Sequence, residues 1–319
     1  MMSNKQRKIA DDGWAVWIDG DDTSTIYIND WINPKGNSYV DFAIRIRGVK
    51  TSKCLNIYVP FPVSSDEIKD LSLLFHDKKI LQAIFSTACI IDYKKNEHTS
   101  EIAYNGKLVD IVHIATLDNK ISELSKGTLI SIDLEKLQPF LDNDEAYFIW
   151  RMPHKSLNEI FKSRTDMGNI ISRLRDLITT PVVSEKFCYS VRINESRLLP
   201  EEITKIGLFH RQKLNKSVVT ISVDEDYELN DAGCYRIRRL EGDLYNDYLP
   251  KKYKSDGVIT YHWFQTKDDN SRGQFNFYYN IAKNSISRGS MFFYIVLLLL
   301  LGAAGEFLAD FIKALFQLF

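Results

Sequence analysis

The sequence has little glycine and proline and almost no net charge. It contains 15 glycines and 8 prolines in 319 residues, which argues against long disordered linkers. Lysine and arginine together number 41 and aspartate and glutamate 42, so the formal net charge is −1 at pH 7. Because no global field draws the chain to nucleic acid or anionic lipid, any such binding site has to be local.

Cysteine is also scarce and scattered. The 4 cysteines are Cys54, Cys89, Cys188 and Cys234, and no C-x-x-C pair occurs. This spacing argues against a disulfide framework or a zinc site and indicates a reducing compartment. The first residues, MMSNKQRKIADDGW, are basic but contain no apolar run, so they do not form a secretory signal.

Recognisable catalytic motifs are missing from the sequence. The 6 histidines form no HExxH or HxH pair, and there is no GxSxG, GxxxxGK[ST] or GxGxxG segment. The segment Asp19-Gly-Asp-Asp resembles half a calcium loop but has no later glutamate at the required spacing, so we interpret it as a turn. We therefore expect a protein that is not an enzyme and that holds no cofactor or metal.

What is present is a long apolar segment at the end of the sequence. From Met291 to Gly305 no residue is charged, a length of roughly 22 Å as a helix against a hydrocarbon core of ~30 Å. Continued as one helix to Phe319 the segment reaches about 43 Å, enough to span with tilt. Lys283 and Arg288 precede it and only Lys313 follows, which predicts a single-pass membrane protein with its N-terminal region in the cytoplasm.

The charged and polar residues of this helix lie on one stripe. The polar members of this stripe are Glu306, Asp310, Lys313 and Gln317. The spacings of 4, 3 and 4 residues between them keep them on one helical face, and the same face passes back through Gly302. A charge at the bilayer centre costs about 2.5–3.5 kcal/mol, so the stripe should face water or another helix. This predicts a homo-oligomer, such as a tetramer, whose stripe lines or seals a pore.

Two alternatives for the same segment remain open. Glu306 could lie at the far headgroup boundary, which would leave 306–319 as an amphipathic helix on the membrane surface. The small residues at 302–305 could instead break the helix and make it re-entrant, although they also allow helices to approach closely.

Strand patterns dominate the remainder, which predicts an α+β, β-rich cytoplasmic region ahead of the C-terminal transmembrane helix. The length suits one large domain or two related β-rich domains. The predicted division is a β-rich domain at 1–155, a connecting helix at 156–180, a second β-rich domain at 181–282 and the membrane helix at 283–319. A helix is also expected from Ser64 through an apolar stripe at Ile68 and Leu71, and Asn105-Gly106 predicts a hairpin.

Arginines interleaved with aromatic residues are the best candidates for ligand binding. The segment YRIRR puts Arg236 and Arg238 on one face of a strand, and YHWF, with Tyr261 and Trp263, is expected in a neighbouring strand. A second basic-aromatic group contains Arg151, Lys155, Arg173 and Arg175. Guanidinium groups with aromatic platforms are what an oligonucleotide or nucleotide requires. The alternative is that these arginines pair with acids across the sheet and the aromatic residues fill the core.

In layout, with the tail MFFYIVLLLLLGAAGEFLADFIKALF after a region with basic-aromatic runs, the chain resembles the membrane-channel effector subunits of Hailong-type bacterial antiphage (antiviral) defence. The resemblance implies an ion channel of the bacterial inner membrane, held closed by an oligonucleotide made by a partner nucleotidyltransferase. It also implies opening during infection, followed by depolarisation and growth arrest. The competing interpretations are a non-conducting, tail-anchored adaptor and an enzyme tethered to lipid.

Overall fold

The computed structural model of this chain is a two-sheet β-sandwich followed by one long helix. The structure describes residues 8–20, 23–33, 36–85, 90–92, 96–104, 106–117, 119–162, 183–206, 214–229, 233–250, 253, 256–266, 274–285 and 288–317. All statements below about what is absent refer to these residues.

The smaller sheet has 7 strands. Both sequence halves contribute to it, and its only parallel pair is β1 with β12. In spatial order the strands are β14 (Glu228–Leu229), β17 (Phe275–Ser285), β12 (Val183–Ile193), β1 (Lys8–Ile18), β4 (Cys54–Val59), β10 (Thr128–Asp133) and β9 (Asn119–Glu123).

The larger sheet has 10 strands, with β5 (Lys69–Asp70) added beside β11. Its other strands, in spatial order, are β15 (Arg236–Arg239), β16 (Val258–Thr266), β13 (Leu214–Asp224), β2 (Thr23–Trp31), β3 (Tyr39–Arg47), β11 (Glu145–Pro153), β8 (Lys107–Val112), β7 (Thr99–Tyr104) and β6 (Ile90–Asp92).

The helices lie outside the sandwich. Short helices cover part of the outer face of each sheet, whereas the long last helix covers neither sheet. The helices are α1 (Lys78–Phe85), α2 (Lys155–Lys162), α3 (Glu201–Ile206), α4 (Gly242–Tyr245) and α5 (Arg288–Gln317). Five-residue and three-residue 3-10 turns connect strands at Val49–Thr51, Ser65–Glu67, Ser72–His76, Ile114–Thr116, Gln138–Phe140 and Ser196–Leu198.

The main core lies between the two sheets. Alternation places one set of side chains of each strand inward, as in β2, where Ile26 and Ile28 are buried and their neighbours are partly exposed. Trp14 of β1 stacks on Phe42 of β3 with ring centroids 6.0 Å apart, so the contact crosses from one sheet to the other. Two smaller clusters lie under α1 and α4 on the larger sheet and under α3 on the smaller one.

The two predicted β-rich blocks occupy separate halves of one sandwich. Parallel pairing of β1 with β12 and of β2 with β13 joins the halves, and one buried cluster runs through both. The pairs β1–β4 and β2–β3 on one side correspond to β12–β17 and β13–β16 on the other, but the order is reversed across each sheet. That the two halves are related domains stays a prediction.

Most predicted strands and the Asn105-Gly106 hairpin are confirmed, with Gly106 at a φ of +73° between β7 and β8.

The prediction of a helix that begins at Ser64 is wrong. The chain there forms 3-10 turns at Ser65–Glu67 and Ser72–His76 around β5, and α-helix begins only at Lys78. Asp70 prevents a continuous helix because its Oδ1 accepts a bond from the Ser72 backbone N–H at 2.8 Å. Of the connecting helix, α2 is observed, and 163–180 lies outside the described residues.

The expected C-terminal helix is present as α5, which is long and apolar enough to cross a membrane. The stretch Tyr294–Lys313 has a mean hydropathy of 2.2, and none of it is buried against the sandwich. The helix follows β17 after only residues 286 and 287, so it begins at the end of the sandwich where β17 ends. The described part of the chain is therefore a β-rich region followed by one candidate membrane span.

Candidate functional site

A pocket of about 180 Å³ opens on the outer face of the larger sheet. Its floor is formed by outward-facing residues of β2, β13 and β16, and its walls come from α1, α4, β11 and β15. The lining consists of aromatic, hydroxyl and amide side chains with one arginine and one histidine: Tyr27, Asn29, Trp31, Ile84, Phe85, Tyr147, Val218, Thr220, Ser222, Arg238, Leu240, Tyr245, Thr260 and His262.

Strand pairing brings the arginine and the histidine to the same face. In the antiparallel pair β15–β16, Arg236 lies opposite His262 and Arg238 lies opposite Thr260. Directly opposed residues point to the same side of a sheet, so these four side chains belong to the outer face. The predictions that β15 and β16 are neighbours and that the two arginines share a face are thus confirmed.

Arg238 is held in place by a tyrosine of α4. Its Nη2 donates to the Tyr245 hydroxyl at 2.8 Å, and that hydroxyl donates in turn to the backbone oxygen of Ala83 at 3.1 Å. Burial raises the pKa of Tyr245, which keeps the phenol neutral. The guanidinium is therefore oriented by a group that is itself fixed to α1.

His262 is neutral at physiological pH. Burial, together with the positive charges of Arg238 and Arg236, lowers its pKa to about 4. Its Nδ1 lies 3.2 Å from the Thr220 Oγ1, whose hydroxyl can donate to it. That tautomer leaves a proton on Nε2, which makes His262 a second donor beside the arginine.

Two nitrogen atoms of the pocket residues have no hydrogen-bond partner among the described residues. They are Nε of Arg238 and Nε2 of His262, and both atoms are buried. A buried donor left unpaired costs about 1–3 kcal/mol, so such atoms call for an explanation. Among the described residues, no aspartate or glutamate lines this pocket to accept from them.

The proposed aromatic platform of Tyr261 and Trp263 is wrong. These residues are 7% and 8% exposed and point inward, where Trp263 stacks on Tyr279 of β17 at 6.4 Å. The segment YHWF has aromatic rings at both parities, and the register puts His262 rather than its neighbours beside the arginines. The aromatic residues that do line the pocket come from β2, β11, α1 and α4 instead.

Arg151 is also unavailable to a ligand, because it is 3% exposed and paired inside the protein. Its Nε and Nη2 donate to the two carboxylate oxygens of Asp41 at 2.6 and 2.7 Å, and its Nη1 donates to the Tyr248 backbone oxygen at 2.8 Å. Lys155 makes a half-exposed pair with Glu67 at 2.8 Å. Arg173 and Arg175 lie outside the described residues.

A second polar cluster crosses the core between the sheets. Tyr189 donates to Asp12 at 2.5 Å and lies 2.8 Å from Nε2 of His154, and Tyr279 donates to Asp30 at 3.2 Å. The other oxygen of Asp30 has no hydrogen-bond partner among the described residues and lies 3.5 Å from the His154 Nε2. Burial raises the pKa of Asp30 to about 8 and lowers that of His154 to about 3, so both are neutral near pH 7.

The stripe residues of α5 are all on the exposed helix. Lys313 Nζ lies 3.6 Å from Asp310 Oδ1, so this aspartate has a cation on its own chain. Glu306 has no ion pair among the described residues, and a side chain added at Gly302 would meet nothing within 4 Å. Gln317 is the last residue of the helix. Glu306, Asp310 and Lys313 are exposed and therefore accessible to a neighbouring helix.

No family model matches the chain, and no curated protein matches it. Among solved structures, the chain was compared with the Fcho1 Mu homology domain of Danio rerio with a bound Eps15 peptide, at 9% identity over 85% of this chain and 80% of that one. The TM-score is 0.12, so this comparison carries no argument about fold or function.

Sequence analysis missed most of the pocket and the whole inter-sheet cluster. Trp31, Tyr147 and Tyr245 come from segments far apart in the chain, and single aromatic residues in strands look like core residues. The signal that could have revealed the cluster is an acid within a strand of largely buried residues: Asp12 and Asp30 both lie in such strands and are at most 6% exposed.

Proposed function

We propose that this protein is a membrane-anchored, ligand-controlled effector that oligomerises through α5 to form a pore. The observation that carries the proposal is α5 itself. It extends over about 45 Å from the end of β17, and its apolar surface is not covered by the sandwich. Leu299 is 69% exposed and Phe307 is 78% exposed. Exposing so large an apolar surface to water is unfavourable, whereas contact with lipid is not.

Self-association is supported by Glu306. Asp310 and Lys313 can offset one another, but Glu306 lies one turn before Asp310 and has no cation within the described part of its own chain. Moving such a carboxylate into lipid unaccompanied costs about 2.5–3.5 kcal/mol. Neighbouring copies of α5 with their stripes turned inward would remove this cost by giving the carboxylate water or a lysine from the next chain.

The control site is proposed at the outer face that carries Arg236 and Arg238. An oligonucleotide or nucleotide signal, made by a partner nucleotidyltransferase, would use the arginines for its phosphates, as in bacterial antiphage defence. Cytoplasmic placement of the sandwich follows from the basic residues Lys283 and Arg288 ahead of the apolar stretch.

One observation favours the alternative of a non-conducting anchored adaptor. Because Lys313 lies within reach of Asp310, part of the stripe is neutralised without any partner. In that case the helix would serve only to hold the sandwich at the membrane, and a foreign neutral helix would replace it without loss of function.

The deciding experiment replaces 291–319 with a neutral single-span helix of equal length and compares it with the intact chain. Membrane fractionation after a high-salt wash reports anchoring, and a voltage-sensitive dye in expressing cells reports conduction. We expect both proteins in the membrane fraction and depolarisation with the natural helix alone. Equal dye signals from both proteins would reject the pore and leave the adaptor. A protein truncated before 291 that still sediments with membranes would reject the anchor.

A further inference from the structure

The geometry points to the pocket on the outer face of the larger sheet as a binding site for a flat ring that carries one anionic group. The site goes beyond the arginine face considered above, because only Arg238 of that face lines the pocket and most of the walls are aromatic. Its use as a control site rests on the proposed function, but ligand binding itself does not.

The pocket volume sets the size of the ligand. About 180 Å³ corresponds to the volume of roughly six water molecules and lies below the ~300 Å³ at which drug-sized sites begin. A single ring with a small substituent fits this space, and a chain of several nucleotides does not. A longer ligand would have to insert one unit and leave the remainder on the surface.

The walls favour a planar group. Trp31 and Tyr245 have ring centroids 6.3 Å apart, and Phe85 and Tyr147 lie 5.2 Å apart, so two aromatic pairs border the same space. Flat π-faces present apolar surface without the rotamer freedom of aliphatic chains, and ring on ring is their preferred contact.

The polar groups favour one negative charge. Arg238 is the only charged side chain among the lining residues, and no lining carboxylate competes for it. Its Nη2 is already engaged with Tyr245, whereas its Nε and the Nε2 of His262 have no acceptor among the described residues. An anionic group in the pocket would offer these buried donors the acceptor that they lack.

Two sources supply this chemistry: a small aromatic acid, and one base-phosphate unit of a nucleotide. The test uses the full chain in lipid nanodiscs and isothermal titration with four probes. Benzoate and benzamide form one matched pair, which differs by a single negative charge at nearly equal shape. The methyl ester of a nucleoside monophosphate and its parent nucleoside form the other pair, which differs by one singly charged phosphodiester group. Inorganic phosphate alone is the fifth titration and tests whether the ring is needed.

We expect at least one of the two anions to bind ten-fold or more tighter than its neutral partner and than phosphate. Which anion binds identifies the source. Arg238→Met should weaken that binding at least ten-fold, whereas Arg239→Met, on the next residue and paired with Glu225 at 3.6 Å and Asp256 at 3.7 Å, should not change it. Val218→Phe keeps every donor but fills part of the pocket, and should also abolish binding.

Three results would overturn the inference: neither anion binds, phosphate binds as tightly as the ring compounds, or Arg238→Met and Val218→Phe both bind as the natural chain does. Circular dichroism of each variant establishes that it is folded before titration. The readout does not depend on conduction. Binding without any depolarisation would reject the pore and retain the site, and depolarisation without binding would do the reverse.

Discussion

Tyr279 of β17 donates a hydrogen bond to Asp30 of β2, and Asp30 is the neighbour of Trp31, which lines the pocket. Successive residues of a strand point to opposite faces, so Asp30 faces the core and Trp31 the pocket. Trp31 also donates from Nε1 to Asp41 at 2.6 Å. The Tyr279–Asp30 bond therefore joins β17, the strand that precedes α5, to the core side of β2 at the residue next to Trp31.

We expect Tyr279→Phe to separate ligand binding from the response of the helix. The change removes one hydroxyl and its 3.2 Å bond, a loss of about 0.5–1.5 kcal/mol, while the ring remains stacked on Trp263. Ligand affinity measured by titration should stay within about two-fold, and ligand-dependent depolarisation should change. Tyr58→Phe is the control, because its hydroxyl donates to the Lys126 backbone oxygen on the other side of the smaller sheet. An equal response in both variants would mean that the Tyr279 bond does not couple the two sites.

We expect the free energy of unfolding to fall between pH 6.5 and 8 because of Asp30. Its folded pKa of about 8 lies above the ordinary value of 3.8, so in this range the folded state holds a proton that the unfolded state has released. The contribution of Asp30 to the free energy of unfolding is fully present below pH 3.8 and is lost progressively as the pH rises to about 8. His154 has the opposite effect, and mainly below pH 6.5. There the unfolded state binds a proton that the folded state does not, so the free energy of unfolding falls as the pH decreases.

Asp30→Asn should remove this slope, since an amide resembles the protonated acid and does not titrate. The expected difference between pH 6.5 and 8 is about 2 kcal/mol in the natural chain and close to zero in the variant. Urea unfolding at a series of pH values measures it, and the exposed Asp247→Asn serves as the control that keeps the slope. Parallel profiles for the natural chain and Asp30→Asn would show that Asp30 is already ionised in the folded state.

We expect Asp41→Ala to destabilise the fold by about 3–5 kcal/mol, because Arg151 would remain charged, buried and without its carboxylate. Trp31 and Tyr248 would lose their acceptor on the same group. Lys155→Ala breaks the half-exposed pair with Glu67 instead and should cost no more than about 1 kcal/mol. Denaturant titration compares the two, and similar losses would contradict the burial of the Arg151–Asp41 pair.

We expect Glu306→Ala with Asp310→Ala to leave insertion intact or improve it and to reduce depolarisation or change ion selectivity. Carboxylate rings raise the local cation concentration at a narrow opening, whereas aliphatic rings tend to dewet and close it. The matched control is Leu308→Ala with Ile312→Ala, which are 62% and 45% exposed and lie away from the stripe.

A voltage-sensitive dye in cells with equal amounts of protein in the membrane fraction measures both pairs. The control pair should change little beyond the strength of anchoring. Equal depolarisation by the two double variants and the natural chain would mean that the stripe is an interfacial tail and that no pore depends on it.

How far the sequence predicts this protein depends on the range of the interactions involved. Strands such as Phe42–Arg47 were evident because period-two burial is written locally, and the apolar run of α5 is likewise local. The buried ion pair of Arg151 was not evident from the sequence, because its partner Asp41 lies 110 residues away and such a pair leaves no local pattern. The same limit explains why the prediction for Tyr261 and Trp263 was wrong. The register of β16 against β13 and β15 decides which face of the sheet their side chains occupy.

The short link between β17 and α5 has a geometric consequence for any assembly. Residues 286 and 287 allow at most about 11 Å between Ser285 and Arg288, so the sandwich cannot move far from the helix axis. Packed helices lie 8–10 Å apart, a distance smaller than the width of a seven-stranded sheet at ~4.8 Å per strand. Because β17 is next to the edge strand β14, the sandwiches can surround such a bundle only with that edge turned toward the axis. The angular width of the sandwich, rather than the helix, would then limit the number of subunits in the ring.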